Sequence, residues 1–210
     1  MKFLITAGAT REPLDPARYL TNRSSGRMGY ALAGAARHEG HEVLLVSGVT
    51  HLPVPSGVDF MQVETAQQMY DVVRDMVKGV DVAILCAAVA DYRPVAFSEQ
   101  KIKKNAERMV IELERTPDIL GSMRDVFGYE GVLVGFAAET QDVLHYARTK
   151  LERKKCNMIV ANDVSRADIG FNSVENEVLL VLPDREIPLE KDSKEQIAMR
   201  IVEQALAIEL

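Results

Sequence analysis

The 210-residue chain has no tryptophan, an aromatic share of 6%, and only two cysteines, Cys86 and Cys156. Two cysteines cannot build the dense disulfide framework of a small secreted domain, and they suit a reducing compartment. No cationic stretch leads through an apolar run to an Ala-x-Ala-like cleavage site, and no window approaches the ~18 uninterrupted apolar residues of a bilayer span. A cytoplasmic protein with no membrane partner is therefore expected. Cations are in deficit, 25 Lys and Arg against 31 Asp and Glu, for a formal charge of −6. With a pI near 5.3, no general nucleic-acid surface is expected, because such surfaces need clustered cations to replace phosphate counterions. Also missing are G-x-G-x-x-G, G-x-S-x-G and C-x-x-C, and His38, His41, His51 and His145 form no metal-ligand motif. Dinucleotide, serine-hydrolase, thiol-redox and zinc chemistry thus have no motif to stand on.

What is present is ordinary globular composition, 47% hydrophobic and 27% charged, in a chain long enough to bury one core without staples. A single domain over residues 1–210 is expected. Short β-branched runs at Lys2–Thr6, Val43–Val46, Phe60–Val63, Val82–Cys86, Leu133–Phe136 and Met158–Ala161 alternate with amphipathic stretches. That alternation predicts an α/β fold, helices packed on a mostly parallel sheet. Three stripes at helical spacing read as core faces: Ala66, Met69, Val73 and Met76; Ile119, Met123 and Val126; Val143, Ala147 and Leu151. Val178–Leu182 and Ile187–Leu189 flank a Pro183-Asp184-Arg185 turn and predict a C-terminal β-hairpin. A closing helix follows, with Ser193 and Gln196 in capping-box spacing and Ile197, Ile201, Ala205 and Ile208 on one face. Between Ala90 and Arg108 no period is clean, which predicts an exposed arm or flap over about 92–110.

Several segments could carry chemistry. The first strand runs into Ala7-Gly8-Ala9-Thr10, the kind of strand exit where open α/β sheets bind ligands, while the next helix is expected only from about Ser24-Ser25-Gly26. The intervening loop offers Asn22 as donor and acceptor and Arg18, Arg23 and Arg27 as cations, though hydroxyls before a helix also make ordinary turns. The small residues Cys86-Ala87-Ala88 would let a ligand lie against backbone. Asp91 beyond them suits a ribose or a hydrated metal, and equally a capped strand end. Lys101 and Lys103 would share one side if extended, facing phosphates or solvent. Thr116-Pro117-Asp118-Ile119-Leu120 reads as a helix start with Thr116 as N-cap. Phe136 could stack on a base or fill the core. Lys150 and Lys154 share a helix face, with Lys155 alongside, where a triphosphate or only water could meet them.

Taken in order, Gly8-Ala9-Thr10-Arg11-Glu12-Pro13 with Asp15 and Arg18, Thr21-Asn22-Arg23-Ser24-Ser25-Gly26, Ala87-Ala88-Val89-Ala90-Asp91-Tyr92, Lys101-Ile102-Lys103-Lys104, Thr116–Leu120, Gly135–Thr140 and Ala161-Asn162-Asp163 form one set. That set resembles the bacterial phosphopantothenoylcysteine synthetases of coenzyme A biosynthesis, over nearly the whole chain. The resemblance implies a Rossmann-like sheet and a homodimer whose flap completes the partner's site. It also implies a ligase that takes CTP with Mg2+, 4′-phosphopantothenate and L-cysteine, and forms an amide through an acyl-cytidylate. No flavin is implied, since the flavin-dependent decarboxylase that often precedes this unit is not in the chain. It further implies that Asn22 hydrogen-bonds the acyl-cytidylate, that Arg18 supports its loop or the substrate, and that Lys101 reaches nucleotide phosphates. The Cys86, Ala87 and Ala88 backbone, Asp91, Pro117, Asp118, Ile119, Leu120 and Phe136 would form the nucleotide pocket, with Lys150 and Lys154 on its phosphates. Gly8, Thr10, Ser24, Ser25 and Gly26 would line the phosphate loop. Ala9 stands where the family commonly has glycine, so a positive φ there would be strained, and Arg27 where lysine is common.

Two alternatives to the ligase are an NAD(P)-dependent reductase and a non-catalytic nucleotide-binding module. The first wants an acidic residue at the end of the second strand, where this chain has Ser47-Gly48. The negative total also hides two positive stretches: residues 8–29 and 97–108 each carry a net +2.

Overall fold

In the computed structural model the described residues are 1–104, 107–165 and 173–209; positions 105 and 106 of the expected arm lie outside them. Phe3-Leu4-Ile5-Thr6-Ala7 is buried on both faces, as a central parallel strand must be, and forms β1 (Lys2–Ala7). In chain order follow β2 (Arg11–Asp15), β3 (Arg18–Thr21), α1 (Arg27–His38), β4 (Glu42–Ser47), β5 (Asp59–Gln62), α2 (Ala66–Met76), β6 (Val82–Leu85), β7 (Tyr92–Pro94), β8 (Leu113–Arg115), α3 (Ile119–Asp125), β9 (Val132–Glu139), α4 (Val143–Arg153), β10 (Met158–Asp163), β11 (Glu175–Val181), β12 (Glu186–Ser193) and α5 (Lys194–Leu206).

Eight strands form one sheet in the order β12-β11-β10-β9-β6-β1-β4-β5. From β10 to β5 they run parallel, and the C-terminal hairpin joins antiparallel through β11. Because side chains alternate across a strand, Phe3, Ile5 and Ala7 pack with Leu32 and Ala33 of α1 and Ile197 and Ile201 of α5. Leu4 packs on the opposite face, with Met69 and Val73 of α2, Met123 of α3 and Ala147 and Leu151 of α4. The Rossmann-like α/β architecture, with helices on both faces, is the one the alternating pattern predicts.

Local reading differs from the structure in four places. Residues 11–21 are not irregular: β2 and β3 form an antiparallel hairpin. Its sequence hides it, because a register shift between Pro13 and Asp15 breaks the period and β3 is mostly exposed. Helix α1 starts at Arg27 with Gly26 as a left-handed N-cap (φ 81°) and no side-chain cap, so the serines precede it. Helix α3 starts at Ile119 with Asp118 as N-cap. Thr116 is spent elsewhere, its hydroxyl donating to Ala90 O at 2.5 Å. Finally, Val126 and Met76 are 66% and 36% exposed; Val126 follows the end of α3, where Tyr129 is the residue that turns into the core.

The arm closes on a short β7–β8 ladder and is pinned to the β2–β3 hairpin by the buried Asp15. That carboxylate accepts from Ala17 N at 2.8 Å, from Ile102 N at 3.1 Å and from the Arg18 guanidinium, which also donates to Ile102 O at 3.0 Å. The Arg18 bond, foremost, holds Asp15 well below its ordinary 3.8. A lowered carboxyl pKa adds stability above the unfolded value and loses it as pH falls through the folded one. Hydrogen exchange at the Ile102 amide should therefore be slow at neutral pH and accelerate progressively as pH drops below 3.8. Asp15→Asn should abolish the protection of this amide relative to an unstructured one, and unchanged protection at neutral pH in that variant would refute the pin.

Candidate active site

The chain leaves β1 for β4 on one side and later returns to β6 on the other, so the strand order reverses between β1 and β6. Outside the carboxyl ends of strands at such a reversal, diverging connections leave a crevice. A cleft of about 1110 Å³ lies there, above the ~300–1,000 Å³ of most single-ligand sites.

Its floor is the exit of β6, tied down from below. Gly8 O accepts from Ala88 N at 2.8 Å, Ala88 O from Thr10 N at 3.3 Å, the Thr10 hydroxyl from Ala90 N at 3.0 Å and the Thr6 hydroxyl from Ala87 N at 3.1 Å. Gly8 adopts φ +72° with Gly48 O and Thr50 crowding the place of a side chain. Gly8 and Thr10 are thus beneath the cleft, not on its lining, while Ala9 is not among the residues with positive φ.

Asn22, Ser24, Ser25 and Gly26 line one wall, and Cys86, Ala87, Ala88 and Asp91 the floor. Pro117, Asp118, Ile119, Leu120, Phe136, Lys150 and Lys154 line the other wall. Asn22 donates its amide to Ala88 O at 3.1 Å and Val89 O at 3.3 Å, which leaves its carbonyl oxygen to meet a ligand. Asp118 accepts from Gly121 N at 2.9 Å and from Lys154. Burial pushes this carboxyl up, but the Lys154 and Gly121 bonds outweigh it and hold Asp118 below its ordinary value. Lys150 donates to Phe136 O at 2.6 Å, and burial lowers its pKa.

Three expected contributors lie elsewhere. Arg18 is bound to Asp15, and Lys101 stays on the arm, neither lining this chain's own cleft. Lys155 turns away to pair with Asp125. In their place the fold brings in Arg115, Arg153, Asn176 and Lys194, the last two from segments assigned no chemistry in sequence. Lys194 did carry a signal: it opens α5, where the helix dipole favours an acid. Seven basic side chains face three acidic ones across the lining, so a chain of charge −6 presents a positive cleft, which focuses anions. Lys101, Lys103, Lys104 and Arg108 of the second positive stretch are not on its lining.

Neither thiol is a nucleophile. Burial pushes Cys86 and Cys156 up to about 12, so almost no thiolate exists at neutral pH. Alkylation at pH 8 should leave Cys86 unmodified, and Cys86→Ser should keep turnover; loss of turnover would give the thiol a role it lacks here.

Residues 1–208 match the family described as the DNA/pantothenate metabolism flavoprotein C-terminal domain. The chain belongs to this family. It is 50% identical over 202 residues to the coenzyme A biosynthesis bifunctional protein CoaBC of Vibrio parahaemolyticus, covering 95% of this chain and 51% of that protein. The chain thus spans about half the length of the curated relatives it matches. A crystal structure of the C-terminal domain of CoaBC superposes with TM-score 0.83 at 44% identity, over 98% of this chain and 94% of that one. A Cab2 mutant in complex with phosphopantothenate-cysteine shares the fold, with TM-score 0.80 at 17% identity, over 98% of this chain and 85% of that one. Of the ordered motifs, residues 21–26, 87–92 and 116–120 with Phe136, Ala138, Glu139 and Asn162 line one cleft, whereas Gly8, Thr10, Arg18 and Lys101 do not. Among the described residues no three His, Cys, Asp or Glu side chains cluster as a metal site, and no helix is long and apolar enough to cross a membrane.

Proposed function

We propose that this chain is a single-domain phosphopantothenate–cysteine ligase. The observation that carries this reading is a positive cleft in which Asn22, the β6 exit, the Asp118 helix start and Phe136 converge, while burial keeps the Cys86 thiol in its lining protonated. Such a site suits a reaction whose nucleophiles are both substrates. In the first step the carboxylate of 4′-phosphopantothenate attacks the α-phosphorus of CTP; an O–P bond forms, the bond to the β-phosphate oxygen breaks, and pyrophosphate leaves. In the second, the L-cysteine amine attacks the acyl carbon, CMP leaves, and the amine loses a proton.

The side chains act by position and charge. Lys150, Lys154 and Arg153 offset the repulsion between an anionic acid and an anionic nucleotide. Phe136 and the backbone of Pro117, Ile119 and Leu120 hold the base. The Asn22 carbonyl oxygen accepts from the attacking amine. Mg2+ suits the site as an ion held chiefly by nucleotide phosphates, with Asp91 reaching it through water, since magnesium keeps several waters and needs only one or two carboxylates. When bound it neutralises phosphate charge. No flavin is assigned to this chain.

A homodimer fits the arm. Val95, Phe97, Met109, Val110 and Leu113 are 43–94% exposed there, an apolar strip of the kind that marks an interface. Lys101 lies off its own cleft, as a residue that completes the partner's site would. A cytoplasmic enzyme without nucleic-acid or membrane partners agrees with the composition.

Incubation with phosphopantothenate, cysteine, magnesium and each of CTP, ATP, GTP and UTP should release pyrophosphate, with CTP preferred. Binding of CTP without pyrophosphate would instead make this a nucleotide-binding module. NADPH fluorescence on titration would favour a reductase, which the Ser47-Gly48 end of β4 opposes.

A further inference from the structure

Thr10 is fully buried beneath the cleft and off its lining, yet each of its polar groups is spent on the two segments that frame Asn22. Its N–H donates to Ala88 O at 3.3 Å, and its hydroxyl accepts from Ala90 N at 3.0 Å. Those two bonds hold the floor from below. Its carbonyl accepts from the Thr21 hydroxyl at 2.7 Å, which ties down the residue beside Asn22 in the chain. Asn22 then reaches back to the same floor, donating to Ala88 O at 3.1 Å and Val89 O at 3.3 Å. Ala88 O thus takes Thr10 N on one lone pair and the Asn22 amide on the other. One buried threonine therefore anchors both the chain that carries Asn22 and the carbonyls against which its amide rests. Asn22 itself is exposed, so hydrogen bonds, not packing, must set its rotamer.

We infer that Thr10 is a positioning residue: it aims the Asn22 carbonyl oxygen at the amine in amide formation without touching a ligand itself. This rests on the ligase reading for the step at which Asn22 acts, and it replaces the phosphate-loop role that the sequence motif suggests for Thr10. The hydroxyl is the working group. Valine has the same shape but no acceptor, so Ala90 N would be left unpaired in a buried place, which costs more than the bond itself is worth. Residues 88–90 would then shift toward another partner, and the carbonyls under Asn22 would move with them. Serine keeps the acceptor.

The test compares Thr10→Val, Thr10→Ser, Thr21→Val and Thr21→Ser with wild type, each alone and combined with Asn22→Ala. Rapid quench follows the pyrophosphate burst and amide formation, and NMR follows the Asn22 side-chain NH2 signals. Thr10→Val should slow amide formation about tenfold, the worth of one well-made hydrogen bond, leave the burst in place and move the Asn22 signals toward free-amide values. In the Asn22→Ala background it should cost nothing further, because it acts through a side chain that is gone. The serine variants should restore both readouts. Thr21 is exposed, so Thr21→Val tests the shared anchor even if Thr10→Val fails to fold. Unmoved Asn22 signals in the valine variants, losses that add to that of Asn22→Ala, or a burst lost along with the amide where Asn22→Ala spares it would each overturn the inference. If no nucleotide yields pyrophosphate, the ligase reading fails, while Asn22 signals that move in the valine variants and return in the serine ones would sustain the positioning role.

Discussion

Asn22→Ala will lower amide formation by ~10²–10³-fold, the usual cost of removing one transition-state hydrogen bond, while pyrophosphate still appears in the first turnover. The split follows from geometry. Asn22 spends its amide N–H groups on Ala88 O and Val89 O, so the group it turns to a ligand is an acceptor. An acceptor does little for an incoming carboxylate, which has no proton to give. It matters when the neutral amine arrives, because that amine gains positive charge as it bonds to the acyl carbon and its N–H becomes a stronger donor. A rapid-quench experiment with labelled CTP should therefore show the acyl-cytidylate accumulating in the variant. Equal loss of pyrophosphate burst and amide would place Asn22 in the first step instead. Asn22→Asp keeps an acceptor but loses the two N–H anchors, so it should be impaired through positioning.

Gly48→Ala should destabilise the protein by about 3 kcal/mol, the upper end of overpacking costs, or ~6–12 °C in Tm for a chain of this size. A Cβ at Gly48 would sit 2.2 Å from Ala9 O and 2.7 Å from Ala9 C. Those are backbone atoms in the bridge between Ala9 and Ala88, the tie that fixes the cleft floor, and they cannot rotate aside as a side chain would. Activity should fall with stability, since relief of the clash must shift Gly8 or Ala88. Gly34→Ala is the control: it lies inside α1 with nothing within 4 Å of a new Cβ. Exchanging glycine for alanine within a helix should stabilise by ~0.5–1 kcal/mol. A Gly48→Ala variant that melts like wild type would mean the floor is softer than this packing implies.

The strands of the main sheet were legible because their burial is two-sided, so apolar runs such as Phe3–Ile5 and Val82–Leu85 stand out against polar connections. The β2–β3 hairpin was not, because its order comes from distant partners: Glu12 accepts from Ala66 N at 2.9 Å, and Asp15 from Ile102. Helix starts were misplaced by up to three residues at α1 and α3 for a related reason, since several capping residues stand in line and tertiary bonds such as Thr116 to Ala90 choose among them.

The site divides in the same way. Its contiguous motifs, around Asn22, Cys86–Asp91 and Pro117–Leu120, were readable because each is a short segment at a strand exit or helix start, and chain direction in an α/β fold sends those ends to one side of the sheet. Arg18 and Lys101 were readable as chemistry but not as location, because a side chain's partner is a matter of space: Asp15 takes Arg18, and the arm carries Lys101 off its own cleft. Lys194 shows the opposite case. Sequence alone determined the α/β class, the family's ordered motifs and the absence of any nucleophile or dinucleotide fingerprint. Tertiary structure decided that Lys194 of the last helix and Arg27 of the first line the same cleft. Their sequence separation of 167 positions carries no periodicity, and only the packing of α1 against α5 on one face of the sheet brings the two charges together.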